Sequence, residues 1–434
     1  MTHADELLER RAPSRWLAAL LLVLGLIAAL VVGTGAPANV CASEGPLQLK
    51  RGVSIHEWLN WAPLTPKGDY KWPPYRDMVE WGSADDFARI KALGLDFVRL
   101  SVDPGPLLAS EGTRRDVAVG RLEEAVRAVT NSGLKVVLDL HPVGQVKAWS
   151  PEAIENGSDQ AIRDRYRSAV SSVARMLERV GTDKVALELM NEPQYYPCDG
   201  SGGREWETVL TGLVRAAREA APELTLVVTG ACGGNITGLV QLDPGRLGDD
   251  RLLYSFHFYE PHGFTHQGTA QSRLVKGAPW PVTENETALS LVYSELLVDE
   301  KDPTPAERSA KLAEISRYLD EYAAGGWNED ALRARFGQVR AWAEKNGVPG
   351  DRLLLGEFGA MAESGWHGGA LDAHRFLWLD AVRRETDALG AAWAYWEYAN
   401  PHGMSLMSPD ETRRPDRIAL IALGLAEDPA STGN

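Results

Sequence analysis

Beyond Lys50 the chain alternates short apolar runs with longer amphipathic stretches, and no other feature restricts its fold as much, because this is the pattern of repeated βα units. Strands are predicted at 51–55, 97–102, 135–141, 185–190, 225–230, 252–259, 353–358 and 390–398. Helices are predicted around 83–93, closed by Gly94, around 120–132, over 204–220, from Asn328 to Gly347 and, as a short closing segment, near 416–423. Ser158 can cap a further helix on which Ile162, Tyr166, Val170, Val173 and Leu177 recur at helical spacing. Thr304, Pro305 and Glu307 read as a capping box with Pro at the first helical position, opening a helix over 304–322. No Gly/Ser- or Pro-rich linker divides the series, so the expectation is an α/β fold, a single (β/α)8 TIM barrel over 43–434 with enlarged loops after strands 1 and 6. A doubly wound sheet would alternate in the same way, but neither GxGxxG nor GxxxxGKS follows any strand.

The N-terminus is set apart from that reading. Trp16 to Val32 is an almost unbroken apolar run flanked by Arg10, Arg11 and Arg15, an export signal, with cleavage expected after Ala38 or Ala42. Retained, the same segment would anchor a catalytic domain outside the membrane; cleaved, it leaves a secreted or periplasmic protein, expected to be a monomer. In an oxidising compartment Cys198 and Cys232, each just beyond one of two consecutive strands, could bridge or remain two free thiols. Sixty acidic against 45 basic side chains give a formal charge of -15, which argues against a nucleic-acid partner.

In such barrels chemistry gathers at the C-terminal ends of the strands, where loops form a cleft and strands supply rigidity. Those ends carry Arg99, His141, the run Asn191-Glu192-Pro193, His257 with Tyr259, Glu357 and Trp396. Glu192 and Glu357 could face each other across the barrel mouth, and glycoside hydrolysis needs such a pair: one carboxyl protonates the departing oxygen while the other attacks or supports the anomeric carbon. The acid should then have its pKa raised and the nucleophile lowered, with Arg99 keeping one carboxylate ionised. Glu188 and Asp139 share the inward face but lie deeper, and are read as buried structural carboxylates.

These residues resemble glycoside hydrolase family 5, the cellulase family among retaining (β/α)8 glycosidases, most specifically in LELMNEP and LLLGEFG. The resemblance runs from RGVSI to the strand-eight WEY. It implies Glu192 as acid/base, Glu357 as nucleophile, Asn191 on the sugar 2-hydroxyl, and Arg99 and Tyr259 as hydrogen-bond donors to the nucleophile. It further implies that His141 and His257 line the subsite on the non-reducing side, with Trp396 as its ring floor. Two features depart from the family pattern: Ser54 stands where Asn is common, and the loop from Glu260 to about Pro303 matches no substrate-defining pattern.

Tryptophan and tyrosine crowd the enlarged loops: Trp58, Trp61, Tyr70, Trp72, Tyr75 and Trp81 after strand one, and Trp280 in the strand-six excursion. Trp58, Trp61 and Trp280 are candidate stacking platforms for further subsites, about half of such rings being expected in packing instead. A metal enzyme using His257, His262 and His266 is a rival reading, as is a noncatalytic sugar-binding barrel; no cofactor or metal is expected. The substrate expected is a β-linked polysaccharide or oligosaccharide, first β-1,4-glucan attacked by an endo-glucanase, with β-mannan or the cell's own exopolysaccharide as alternatives. No appended carbohydrate-binding module is visible, which favours a soluble glycan over crystalline cellulose.

Overall fold

The strands form because their apolar residues, mostly Val, Leu and aromatic, must be covered on both faces, by helices outside and by one another inside. The structure, a computed structural model, describes residues 45–76, 82–155, 160–195, 198, 201–269, 272–363, 368–401 and 403–426. The export segment with its cleavage positions, Ser158 and Trp81 lie outside the described residues. Eight strands, β1 (Arg51–Leu59), β2 (Phe97–Val102), β3 (Lys135–Leu140), β4 (Val185–Glu188), β5 (Thr225–Thr229), β6 (Leu252–His257), β7 (Leu353–Glu357) and β8 (Ala392–Tyr395), close in sequence order into a parallel barrel. The (β/α)8 architecture is therefore as expected, and the described residues from Gly45 onward form one unit.

The helices follow their own chemistry. Helix α1 (Ala84–Ala92) opens on a Ser83–Asp86 capping box. Helices α2 (Gly112–Asn131), α3 (Gln160–Val180) and α4 (Ser201–Ala220) cover successive strands, and α3 buries Tyr166, Val170, Val173 and Leu177 on the stripe seen in the sequence. A short turn, α5 (Ile236–Leu239), follows β5. The strand-six excursion adds α6 (Glu284–Asp299) and α7 (Pro305–Ala324), the latter capped by Thr304 and Glu307 as predicted, before α8 (Glu329–Asn346) returns to the barrel. The ring ends with α9 (Asp372–Leu389) and α10 (Arg417–Ala422). Among the described residues no helix is long and apolar enough to cross a membrane.

Among the described residues, two of the long helices were not anticipated. In α6 the apolar residues surround the axis, so Leu289, Val292 and Leu296 stay exposed and no single stripe marks it. In α9 the N-cap is Leu371, which supplies no capping side chain, and Gly390, placed by sequence in strand eight, instead ends this helix in the left-handed conformation.

Period-two alternation layers the barrel interior. Phe97, Val137, Ala186, Val227, Leu253, Leu354, Ala392 and Ala394 form an apolar plug with Leu47 and Leu49 at the N-terminal end. Two residues further along, β2 to β6 present Arg99, Asp139, Glu188, Thr229 and Ser255, all at most 1% exposed. On β7 a bulge pairs Phe256 with Leu355 but His257 with Glu357, so Gly356 is the extra residue and Glu357 turns to the interior beside His257. Glycine is required there, since a Cβ would lie 2.5 Å from the Ser255 hydroxyl oxygen.

The plug also demands Gly52, where an added Cβ would stand 2.5 Å from the Phe97 ring. Gly52→Ala is expected to destabilise the fold by about 1–3 kcal/mol through overpacking. A urea midpoint equal to wild type would contradict this packing.

Candidate active site

One guanidinium organises the polar layer. Arg99 donates from Nε and Nη2 to both oxygens of Glu188 (2.7 and 3.1 Å), from Nη1 to Glu357 Oε1 (2.6 Å) and from Nη2 to Asn191 Oδ1 (2.9 Å). Its Nη2 also lies 3.0 Å from Asp139 Oδ2. Burial alone would lower the Arg99 pKa, but the charges of Asp139, Glu188 and Glu357 raise it well above the usual value. The cation is thus permanent, and Glu188 and Asp139 are the buried structural carboxylates expected.

Asp139 carries the order one step outward. Its Oδ2 lies 2.7 Å from His141 Nδ1, and a carboxylate can only accept, so Nδ1 bears the proton. His141 Nε2 then accepts from Asn191 Nδ2 at 3.2 Å, while Asn191 Oδ1 accepts from Arg99. The amide of Asn191 is therefore oriented from both sides. Burial lowers the His141 pKa to about 4, which keeps the ring neutral at neutral pH.

The two carboxyls meet above this frame. Ligand atoms of Glu192, His257 and Glu357 all lie within 4.8 Å of one another. His257 Nδ1 is 2.9 Å from Glu192 Oε1 and 3.6 Å from Glu357 Oε2. Tyr259 donates its hydroxyl to Glu357 Oε2 at 3.0 Å, and burial, followed by the Glu357 and Glu192 charges, keeps that phenol protonated. Burial pushes Glu192 up to about 6, and burial also raises Glu357, against the pull of His257 and Arg99. The expected lowering of Glu357 is thus not met, because desolvation acts on both groups. What distinguishes them among the described residues is their donors: Glu357 has Arg99 and Tyr259, and Glu192 has His257. Glu192 sits at φ 41°, a left-handed conformation uncommon outside glycine, just past the end of β4.

A cavity of about 500 Å³ opens over the pair, lined on one side by His141 and Trp396 and on the other by Gln194, Asn235, His262 and His266. The Trp396 and His141 rings lie 5.8 Å apart at 20°, and His56 approaches Trp396 at 4.8 Å. Trp61, 42% exposed, donates Nε1–H to His56 Nε2 at 2.9 Å and presents an open ring. Trp58 and Trp280, by contrast, are 2% and 0% exposed; the first packs on Phe87 and the second in the core, so neither offers a face to a ligand. Tyr70 and Tyr75 are buried too, and Arg114 covers Trp72. His257 points at Glu192, while His262 and His266 stack on each other, so the three histidines of the metal reading do not converge. His56 and Glu397 were not singled out from sequence. Glu397, fully buried behind Trp396, accepts the His56 backbone N–H at 3.1 Å and the Asn400 amide N–H, fastening the C-terminal half of β1 to the cleft.

Cys198 and Cys232 are joined by a disulfide with Cα atoms 5.6 Å apart. It links the segment after Glu192 to the loop after β5, where the Gly233 N–H donates to Pro193 O at 2.9 Å.

The model of the cellulase family, glycosyl hydrolase family 5, matches residues 60–401. A cellodextrinase A of Ruminococcus flavefaciens is 29% identical over 243 residues, covering 55% of this chain and 67% of the relative. An endoglucanase 3 of Fibrobacter succinogenes is 28% identical over 221 residues, 49% of this chain but only 29% of the relative's length. Among solved structures, the cellulose synthase subunit Z of Clostridioides difficile superposes with a TM-score of 0.60 at 23% identity, over 87% of this chain and 99% of the other.

Removing the central cation tests the frame. Arg99→Met would leave Asp139, Glu188 and Glu357 buried without a counter-charge and is expected to cost about 3–5 kcal/mol in urea unfolding. Arg99→Lys should remain well below wild type, since one ammonium cannot reproduce a five-donor fork. An Arg99→Met stability within about 1 kcal/mol of wild type would contradict the account.

Proposed function

Because the chain belongs to the cellulase family, glycosyl hydrolase family 5, whose members are retaining glycosidases, we propose that it hydrolyses β-1,4-linked glucan by double displacement, with Glu357 as nucleophile and Glu192 as acid/base. The observation that carries this reading is the close approach of the two carboxyls, within 4.8 Å through their nearest oxygens and around one imidazole. Such an approach supports the short separation of a retaining pair, ~5–5.5 Å between carboxyl groups, over the ~6.5–9.5 Å of an inverting one.

The steps follow from the donors. A glucosyl ring resting on Trp396 has its 2-hydroxyl near Asn191, whose amide is held by Arg99 and His141. Glu357 attacks the anomeric carbon as the glycosidic C–O bond breaks, and the Glu192 proton passes to the departing oxygen. Water then gives a proton to Glu192 and its oxygen to the same carbon, releasing Glu357. Arg99 and Tyr259 hold the Glu357 carboxylate in place and stabilise the charge it regains. The names of the relatives, a cellodextrinase and an endoglucanase, support glucan as the substrate. Action outside the cytoplasm is supported by the arginine-flanked apolar segment and by the Cys198–Cys232 bridge.

Glu357→Ala should abolish turnover of a soluble β-glucan, and Glu192→Ala should lower it about 10²–10⁴-fold. NMR of the first-formed product should show the β anomer; an α anomer would contradict double displacement. The acid must be protonated to act, so kcat/KM should fall as pH rises through about 6, the value to which burial raises Glu192. A limb near pH 6 that persists unchanged in Glu192→Gln would assign it to another group. Undiminished activity in a chelator is also expected, and its loss would favour the histidine-metal reading.

A further inference from the structure

The cleft has two ends, and its chemistry tells them apart. On one side of the carboxyl pair lie Trp396, His141 and His56, carried by β8, β3 and β1, with Trp61 beyond. On the other lie Gln194 after β4, Asn235 after β5, and His262 and His266 after β6. Glu192 stands at the end of β4, so the oxygen it protonates, and the sugar attached to it, leave over β4 to β6.

We propose that the stacked imidazoles of His262 and His266 form the platform for the leaving-group sugar, the glycan end that departs with the proton of Glu192; this rests on the hydrolase reading above. The two rings are 3.7 Å apart between centroids and 6° from parallel. The edge of His266 meets the Tyr259 ring at 5.1 Å and 70°, so a ladder of rings runs outward from the donor to Glu357. Burial lowers both imidazole pKa values, that of His266 to about 3, so the pair stacks as two neutral rings instead of two repelling cations. A neutral aromatic face beside polar groups suits a sugar, which has apolar C–H faces and a rim of hydroxyls.

Hydrogen bonds support the same assignment. The Thr265 hydroxyl donates to Tyr259 O at 2.6 Å, so its contact with His266 Nδ1 at 2.9 Å requires the proton on that nitrogen. The Nε2 of His266, a residue that lines the cleft, is then the lone-pair nitrogen, an acceptor of the kind a sugar hydroxyl needs. The strand-six excursion holds the turn in place: Tyr318 of α7 donates to Gly263 O at 2.7 Å, and the Tyr322 ring lies against Gly263. Thus the loop from Glu260 to about Pro303, which matched no substrate-defining pattern, carries the platform itself, and α7 beyond it braces the turn.

The test compares two substrates that differ only in what leaves. β-Cellobiosyl fluoride expels fluoride and needs no sugar platform, whereas cellotetraose expels a sugar. In His262→Ala/His266→Ala the ratio of kcat/KM for cellotetraose to that for the fluoride should fall about tenfold or more. Transfer of the cellobiosyl group to added cellobiose should fall with it. His262→Phe/His266→Phe, which keeps two rings, should recover part of the ratio. A ratio within about twofold of wild type in the Ala pair would overturn the platform, since a merely structural role lowers both rates together. Wild-type protein inactive on both substrates would instead defeat the hydrolase reading and take the platform with it.

Discussion

A single buried guanidinium is the constraint on which the site depends. Arg99 enters the barrel from β2, where a strand alternates every second residue inward, and it reaches groups on β3, β4 and β7. Ionised carboxylates would not be stable in that interior without a cation, and the cation would not be stable without them. The same fork that neutralises Glu188 also orients the Asn191 amide and fixes one oxygen of Glu357. Charge compensation and positioning of the reacting groups are thus one arrangement.

The barrel separates its duties along its axis. At the N-terminal end an apolar plug around Phe97 gives rigidity; the middle layer neutralises charge; the top layer holds the groups proposed to react. The β7 bulge connects the last two layers, since regular alternation through Gly356 would turn the Glu357 side chain toward the helices. The loops then divide the cleft: strand one, fastened through His56 and Glu397, builds the Trp396 side, and the strand-six excursion builds the opposite side through Tyr318 and Tyr322.

Much of this was legible in the residues, for physical reasons. The eight strands declared themselves because parallel barrel strands are apolar on both faces, and their polar ends stood out against that background. The capping box at Thr304 and the stripe on α3 are local chemistry, readable without a fold. The unread parts depended on three-dimensional context. Whether a tryptophan meets solvent is decided by what packs on it, so Trp58 and Trp280 looked like Trp61 in sequence and are not. A bulge leaves no mark in an alternation pattern, although GEFG marked the carboxylate that the bulge turns inward. Burial shifted Glu357 upward along with Glu192, an effect invisible without the cavity. Helix α6, whose apolar residues face all ways, offered no periodicity to find.

The central claim is that Glu357, held by Arg99 and Tyr259, becomes covalently bonded to the sugar during turnover. Incubation with a 2-deoxy-2-fluoro-β-cellobiosyl fluoride, which forms the glycosyl-enzyme faster than water removes it, followed by peptide mass spectrometry, reads this directly. The account predicts one fluorocellobiosyl group per chain, on the peptide containing Glu357. A label on Glu192 or Glu397, or the absence of any adduct from an enzyme active on the parent glycoside, would contradict it.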